Sequence, residues 1–304
     1  PQGARDLARL ADRLRPIRRD AGGGIDPASP MSGFAVDWLA LREPVDAVSR
    51  NPELNAELLA WRQRCDNPLS VLDLGSGTGA NLRYLAPLLG GEQRWLLVDH
   101  DPAMPARGDE LLRRWAAARE SSPSLEWRLL DLNRDWERLE LPEVHLVTAS
   151  ALFDLVSAAW LERFARRCRE WRAAVFVALS YDGSIGWEPA LDGDASVRER
   201  INRHQRTDKG FGPALGPAAA ATLAILLRQL GYWVMLRPSP WRLGPDHATL
   251  QTVLREGWTK TARTIAPESS GWLDDWAAER RRLIEQGHSR LHVGHWDLLA
   301  WLKE

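Results

Sequence analysis

The chain has 304 residues, 44% of them apolar and 16 of them tryptophan, enough for a sizeable core in one large domain or two small ones. A formal net charge of −1 provides no global field to gather a polyanion or an acidic membrane, so neither nucleic acid nor membrane is expected as a partner. The two cysteines, Cys65 and Cys168, have no metal-ligand spacing and fall in helix-like stretches rich in Arg and Trp, which fits reduced thiols, no disulfide and no metal.

No run approaches the roughly 20 apolar residues of a membrane helix, and the amino end lacks the apolar core of a signal peptide, so a cytoplasmic location is expected. Residues 1–30 hold a basic helix-like segment (5–19) and then the breaker-rich AGGGIDPASP. They read as an amino-terminal extension, flexibly joined to a single main unit, 31–304, that begins at Met31. Helical spacing follows in WLALREPVDAVSR and PELNAELLAWRQRC, where Pro44 and Pro52 mark starts or breaks; the region 34–66 reads as a helical lid ahead of the first strand.

Apolar strand-like runs then alternate with helices. The order is strand 69–74, helix 79–89, strand 94–99, helix 103–119, strand 125–132, strand 144–150, helix 157–171 and strand 173–181. Such an alternation predicts a parallel sheet covered on both faces. After Tyr181 it fails: residues 182–216 are polar and mixed around a short helical core, 195–204, and read as a cap insertion. Helix 217–230 and strand 232–239 resume the pattern, a helical insertion (240–288) follows with helices near 246–264 and 269–287, and strand 290–302 closes the chain. The expected fold is therefore a doubly wound α/β sandwich with a seven-stranded, mostly parallel sheet.

Residues 71–81 read VLDLGSGTGAN: an apolar strand carrying Asp73, then glycine at 75, 77 and 79, then a helix start. Asp99 follows at the end of the next apolar run, twenty residues after Gly79. Glycine lets the backbone turn and lets a ligand approach the main chain, the helix start offers free N–H groups, and an acid at this distance suits a ribose. A dinucleotide fingerprint is G-x-G-x-x-G, whereas GSGTGAN is G-x-G-x-G with Asp73 two positions earlier.

On VLDLGSGTGAN, LLVDHDPAM, DLN and TASALFD, and in element order over roughly 34–304, the chain resembles the class I S-adenosylmethionine-dependent methyltransferases. The resemblance implies a Rossmann-like fold, S-adenosylmethionine as cofactor and S-adenosylhomocysteine as product. It implies that Asp73 organises the loop and reaches the methionine ammonium through backbone or water, and that Gly75 and Gly77, with Ser76 and Gly79 in the same loop, lie at the methionine part. By the same resemblance Asp99 accepts both ribose hydroxyls, His100 and Met104 flank the adenine, and Asp131 with the Leu132 amide meets its edge. Ser150, Ala151 and Asp154 would line the passage from sulfonium to acceptor; the segment is not the NPPY type of many amino-methylating nucleic-acid enzymes. His145, where family members often have Asp, reads as a surface strand residue.

Trp38, Arg42, Asp46 and Arg50 recur every four residues on one helical face. Two accounts stay open, a packed Trp beside solvated ion pairs, or Arg42 or Arg50 over the cofactor carboxylate. For the acceptor, NRHQRTDKGFG lies beyond the carboxyl end of the fifth strand, where open α/β sheets bind ligands. His204 is the candidate base and Asp208 its partner, while Lys209 with Arg203 and Arg206 can hold a carboxylate or phosphate. A solvated loop is the plain alternative for each. Tyr181, Asp182 and Trp187 stand at the cap entrance, and Trp241 with Arg242 reads as packing plus a surface arginine.

The leading expectation is methyl transfer to an O or N atom of a small polar metabolite by a monomer or homodimer. A protein or RNA methyltransferase, an NAD-dependent oxidoreductase and a non-catalytic nucleoside-binding protein remain alternatives.

Overall fold

The computed structural model describes residues 36–119 and 122–302; the extension at 1–30, its segment 5–19 and the start at Met31 lie outside the described residues. Two helices lead, α1 (Val36–Ser49) and α2 (Pro52–Arg62). Pro44 lies inside α1 and breaks nothing, whereas Pro52 opens α2 behind Asn51, whose side-chain oxygen accepts from the Glu53 and Leu54 N–H groups. Cys65 falls just past α2 and outside any helix, because the helix hydrogen bonding ends at Arg62.

The sheet then builds up by crossovers: β1 (Leu69–Leu74), α3 (Ala80–Leu89), β2 (Gln93–Asp99), α4 (Ala103–Ala117), β3 (Ser124–Leu129), the one-turn α5 (Leu132–Asp135), β4 (Leu146–Ser150), α6 (Ala158–Trp171) and β5 (Ala174–Glu188). There follow α7 (Asp194–Gln205), α8 (Ala219–Gln229), β6 (Tyr232–Pro238), β7 (Trp241–Leu243), α9 (Ala248–Ile265), α10 (Ser270–Glu285) and β8 (Arg290–Leu302). Strand order is β3-β2-β1-β4-β5-β8-β6, with β7 also on β8. The pairs β1 to β5 are parallel and every pair with β8 is antiparallel. Among the described residues the strands number eight rather than the expected seven, because the segment read as a helical insertion from 240 begins with a short strand, β7, that pairs with β8 beyond β6.

Alternation along the strands divides the core. Val71, Trp95 and Leu97 face Leu58 of α2, Leu82 and Leu85 of α3 and Leu112 of α4. Leu72, Leu74, Leu96 and Val98 face Trp160, Phe164 and Cys168 of α6 and Leu223 of α8. Helix α6 shows why: Trp160, Leu161, Phe164, Ala165 and Cys168 recur at helical spacing as its buried stripe, and the Ser157 hydroxyl caps its start. Asp73 alternates onto the first face, toward α3, and this sets up the site.

One expected boundary is corrected. The cap does not leave the sheet at 182, since β5 runs on to Glu188 and pairs with β8 from Ser180 to Glu188 beyond the last contact with β4. The Asp182-Gly183-Ser184 punctuation is a bulge between Tyr181 and Ile185, with Gly183 at φ +94, and not a turn. Tyr181, Ile185 and Trp187 stay buried across it. On this antiparallel arm the cap and the helical insertion join: the buried Arg280 of α10 donates to Asp194 of α7 and to the Pro189 carbonyl (2.6 Å), and its guanidinium lies 4.8 Å from the Trp187 ring centre.

Helix α4 meets the sheet closely at Gly108, where a Cβ would lie 2.4 Å from the Trp127 ring. Gly108→Ala is expected to destabilise the fold by about 1–3 kcal/mol through overpacking, read as a lower urea midpoint at unchanged slope.

Candidate active site

The carboxyl end of β1 turns through Gly75 (φ +60) and Gly77 (φ +51), conformations that side chains with a Cβ rarely hold. A Cβ at Gly75 would meet Leu152 at 3.3 Å, and one at Gly77 would meet Leu39 of α1 at 3.2 Å. The loop is therefore a bare backbone cradle between the segment after β4 and the first helix. Asp99, at the tip of β2, accepts from the Gly77 N–H with Oδ2 (2.8 Å) and from the Asp101 N–H with Oδ1 (3.0 Å). Its carboxylate thus stands fixed beside the glycine bend with lone pairs remaining on both oxygens.

Beneath the bend lies a buried polar group from four elements. Asn81, in the first turn of α3, donates to Asp73 Oδ1 (2.8 Å) and Thr148 Oγ1 (3.0 Å); Thr148 in turn donates to the Phe176 carbonyl (2.8 Å). Arg50, past the end of α1, donates from Nη2 to Asn81 Oδ1 (2.9 Å) and Ser150 Oγ (3.2 Å) and lies over the Tyr84 ring. Three buried atoms of this group, Asp73 Oδ2 and Arg50 Nε and Nη1, have no hydrogen-bond partner in the protein. An unpaired carboxylate oxygen and two unpaired guanidinium N–H groups are costly unless something polar joins them. An α-amino acid end, with ammonium and carboxylate together, matches that donor and acceptor set.

Burial raises the Asp73 pKa to about 7, opposed by the Asn81 hydrogen bond and the nearby Arg50 charge and assisted by Asp99. The remaining cofactor candidates divide. His100 is exposed 3.5 Å from Asp99, Met104 is buried at the start of α4, and Ser76 is buried with an unpartnered hydroxyl. Asp131 caps α5 by accepting from the Asn133 and Arg134 N–H groups, and the Leu132 carbonyl accepts from Trp160 Nε1 (2.8 Å). Of the two lid arginines, Arg50 reaches the β1 and β4 tips, while Arg42 pairs with Asp46 (2.8 Å) against the Trp38 and Trp241 rings. His145 accepts from the Ser70 N–H at the far end of β1.

A second group forms where the cap meets the β4 and β5 tips. Asp154 is buried, and desolvation raises its pKa to about 6 against its own and the Tyr181 backbone N–H groups and the charges of Arg42 and Lys209. The Tyr181 hydroxyl donates to Asn202 Oδ1 (2.8 Å), and burial pushes its pKa up. Lys209 Nζ lies 3.3 and 3.2 Å from the two ring nitrogens of His204 and donates to Thr207 Oγ1 (3.0 Å). Desolvation lowers the pKa of both His204 and Lys209, the lysine charge adding to the first and Asp154 and Asp208 opposing the second. Asp208 accepts from the Gly210 and Gly212 N–H groups and so shapes its own loop; Arg203 and Arg206 are exposed.

Sequence reasoning passed over Asn81, whose signal is its place closing GSGTGAN, and His295 of β8, for which no sequence signal exists. His295 is buried against Trp241 and Tyr181, and desolvation, with Arg42 nearby, lowers its pKa to about 3.

Residues 71–173 match a family model described as a methyltransferase domain. No curated protein matches the chain. Similar solved structures include a cyclopropane synthase from Mycobacterium tuberculosis, at 12% identity over 88% of this chain and 95% of that one, TM-score 0.47. Two others are S-adenosylmethionine-dependent methyltransferases solved with S-adenosylhomocysteine. The one from Thiobacillus denitrificans has 15% identity over 89% and 99% of the two chains, TM-score 0.43. The one from Geobacter sulfurreducens has 16% identity over 84% and 92%, TM-score 0.42.

Asp99→Ala is expected to weaken S-adenosylhomocysteine binding by about 1.5–3 kcal/mol, the range for hydrogen bonds to a charged group, with unchanged calorimetric affinity as the contrary result. The raised Asp73 pKa gives two signs. The folded chain holds this proton more tightly than the unfolded one, so its stabilising contribution is complete below the ordinary carboxylate range and is lost as pH rises toward about 7. A ligand ammonium favours the ionised carboxylate, so binding near pH 7 releases a proton and tightens from about pH 6 to about pH 8. Calorimetry in buffers of different ionisation enthalpy checks this, and Asp73→Asn should abolish the release.

Proposed function

We propose that this chain, whose residues 71–173 match a methyltransferase-domain model, is a class I, S-adenosylmethionine-dependent methyltransferase that delivers the methyl group to an O or N atom of a small polar metabolite. The observation that carries the reading is the second polar group: a buried carboxylate, Asp154, and a half-buried ammonium, Lys209, sense each other's charge where the cap meets the β4 and β5 tips, without a salt bridge between them. Opposed charges on a buried and a half-buried side chain suit a ligand of a few polar atoms better than a peptide or a nucleic-acid strand. The formal net charge of −1 likewise gives no global field to gather a polyanion.

When bound, S-adenosylmethionine supplies an electrophilic methyl group on a sulfonium. The chain's own part is alignment and exclusion of water, which together can lower the barrier by several kcal/mol. In this reading Asp73 and Arg50 hold the amino-acid end, Asp99 the sugar, Ser150 lines the passage, and Arg42 with Asp46 and the Trp rings forms part of the lid. Asp131 and Leu132, with His100 and Met104, bound the base.

Lys209 anchors an anionic or polar group of the acceptor, with Asp154 and Tyr181 framing the reacting end. Lys209 lies against both His204 nitrogens. In this reading Lys209 turns onto the acceptor, and the His204 imidazole, whose pKa burial lowers, takes the proton displaced from O or N. Asp208 positions this segment through its loop amides. Arg203 and Arg206 contribute positive potential at the rim.

Incubation with methyl-labelled S-adenosylmethionine and separate metabolite, protein and ribosomal fractions is expected to place label in the low-mass fraction. Label in protein or RNA would move the assignment to those substrates; cofactor binding without turnover on any fraction would indicate a binding protein, and nicotinamide binding an oxidoreductase. With the acceptor in hand, Lys209→Ala should raise its KM by about tenfold with a smaller change in kcat.

A further inference from the structure

Asp297 is a lone carboxylate inside the apolar run of β8 and has no exposure to solvent. Three donors from three distant segments converge on it. Its Oδ1 accepts from the Leu179 N–H (2.8 Å), at the left-handed kink of β5, and from the Ser239 hydroxyl (2.6 Å) between β6 and β7. Its Oδ2 accepts from the Asn51 N–H (3.0 Å), the residue after Arg50. Around that bond Asn51 also donates to the Pro238 carbonyl (3.1 Å), and the Ser239 N–H donates to the His295 carbonyl (2.8 Å).

A carboxylate has acceptor capacity on both oxygens, and several donors are what make its burial tolerable. An asparagine could keep the two bonds to Oδ1 but would turn an NH2 group against the Asn51 amide. The Oδ2 contact is therefore the one that specifically requires the acid. It fixes the main chain at the junction of α1 and α2, where Arg50 leaves toward Asn81 and Ser150.

We propose that Asp297 is a positioning residue for cofactor binding, acting through the Asn51 amide to hold Arg50 over the β1 and β4 tips. The proposal rests on the reading of Arg50 as a contact of the cofactor's amino-acid end. It gives β8, far from the glycine loop in sequence, control over affinity at that loop, and it ties the lid junction to the β6–β7 segment that carries Trp241 against Arg42 and Asp46.

S-adenosylhomocysteine titration of the full chain by calorimetry tests this. Asp297→Asn should weaken binding about tenfold, while Ser239→Ala, which removes only an Oδ1 donor, should stay within about twofold. In an Arg50→Ala background Asp297→Asn should add no further loss, because its route is already cut. Unchanged affinity in Asp297→Asn, or an equal loss in both backgrounds, would overturn the proposal. A wild-type chain that does not bind S-adenosylhomocysteine would overturn the cofactor reading instead. An experiment on the wild type guards against a variant that does not fold: by reciprocity, saturating S-adenosylhomocysteine should slow hydrogen exchange of the Asn51 amide about fivefold. An unchanged Asn51 rate beside a protected Gly77 amide would mean that the two are not coupled.

Discussion

Asp73 sits without solvent at the end of a buried parallel strand, and the region around it is organised to make that tolerable. A strand covered on both faces has no place for a charge except at its carboxyl tip, where helix starts and loop amides gather. Asn81 comes to the carboxyl from the first turn of α3, Thr148 closes the amide from β4, and Arg50 brings a positive charge from the lid junction. Each of these contacts requires its element to stand in one place. The position of α3 follows from the glycine bend, that of β4 from its register with β1, and that of Arg50 from the turn between α1 and α2. The atoms left unpaired at the centre of this group, Asp73 Oδ2 and two Arg50 nitrogens, offer an acceptor beside donors.

The two halves of the site are supported differently. The first polar group draws on crossover units on both sides of β1: Asp73 stands near the tip of β1, Asn81 at the start of α3 and Thr148 and Ser150 on the neighbouring β4, with Asp99 at the tip of β2 on the other side. The second polar group depends on a departure from the parallel pattern. Strand β5 outruns β4, pairs with β8 alone and forms an arm that α7 and α10 grip through Arg280, Asp194 and Trp187. That arm carries Tyr181 at its base, and the cap above it brings His204 and Lys209 toward Asp154.

Much of this was legible in the residues because the governing interactions are local. The period of apolar residues in α6, the uninterrupted runs of β1, β2 and β4, and the glycines of GSGTGAN depend on neighbours within a few positions, so helix, strand and bend could be placed from them. The errors have local causes too. Asp182-Gly183-Ser184 carries the composition of a turn yet is a bulge, since a bulge also needs a left-handed residue and tolerates polar side chains. The insertion read as helical from 240 opens with the three-residue strand Trp241–Leu243, too short for an alternation to show in the residues, which adds an eighth strand. Pro44 was expected to mark a start or a break and does neither within α1.

Sequence alone determined the doubly wound class, the glycine bend, the acid at the second strand tip and a leading helix with one arginine on it and a second just past its end. Only tertiary structure decided between those arginines: Arg42 turns to Asp46 and the Trp38 and Trp241 rings, and Arg50 enters the polar group under the bend. It also drew Asp297 into contact with Asn51, Leu179 and Ser239, and His295 against Tyr181 and Trp241. The reason is that periodicity and turn chemistry are sums over near neighbours, whereas the partner of a buried charge is whichever donor the folded chain brings within about 3 Å, however many residues separate them.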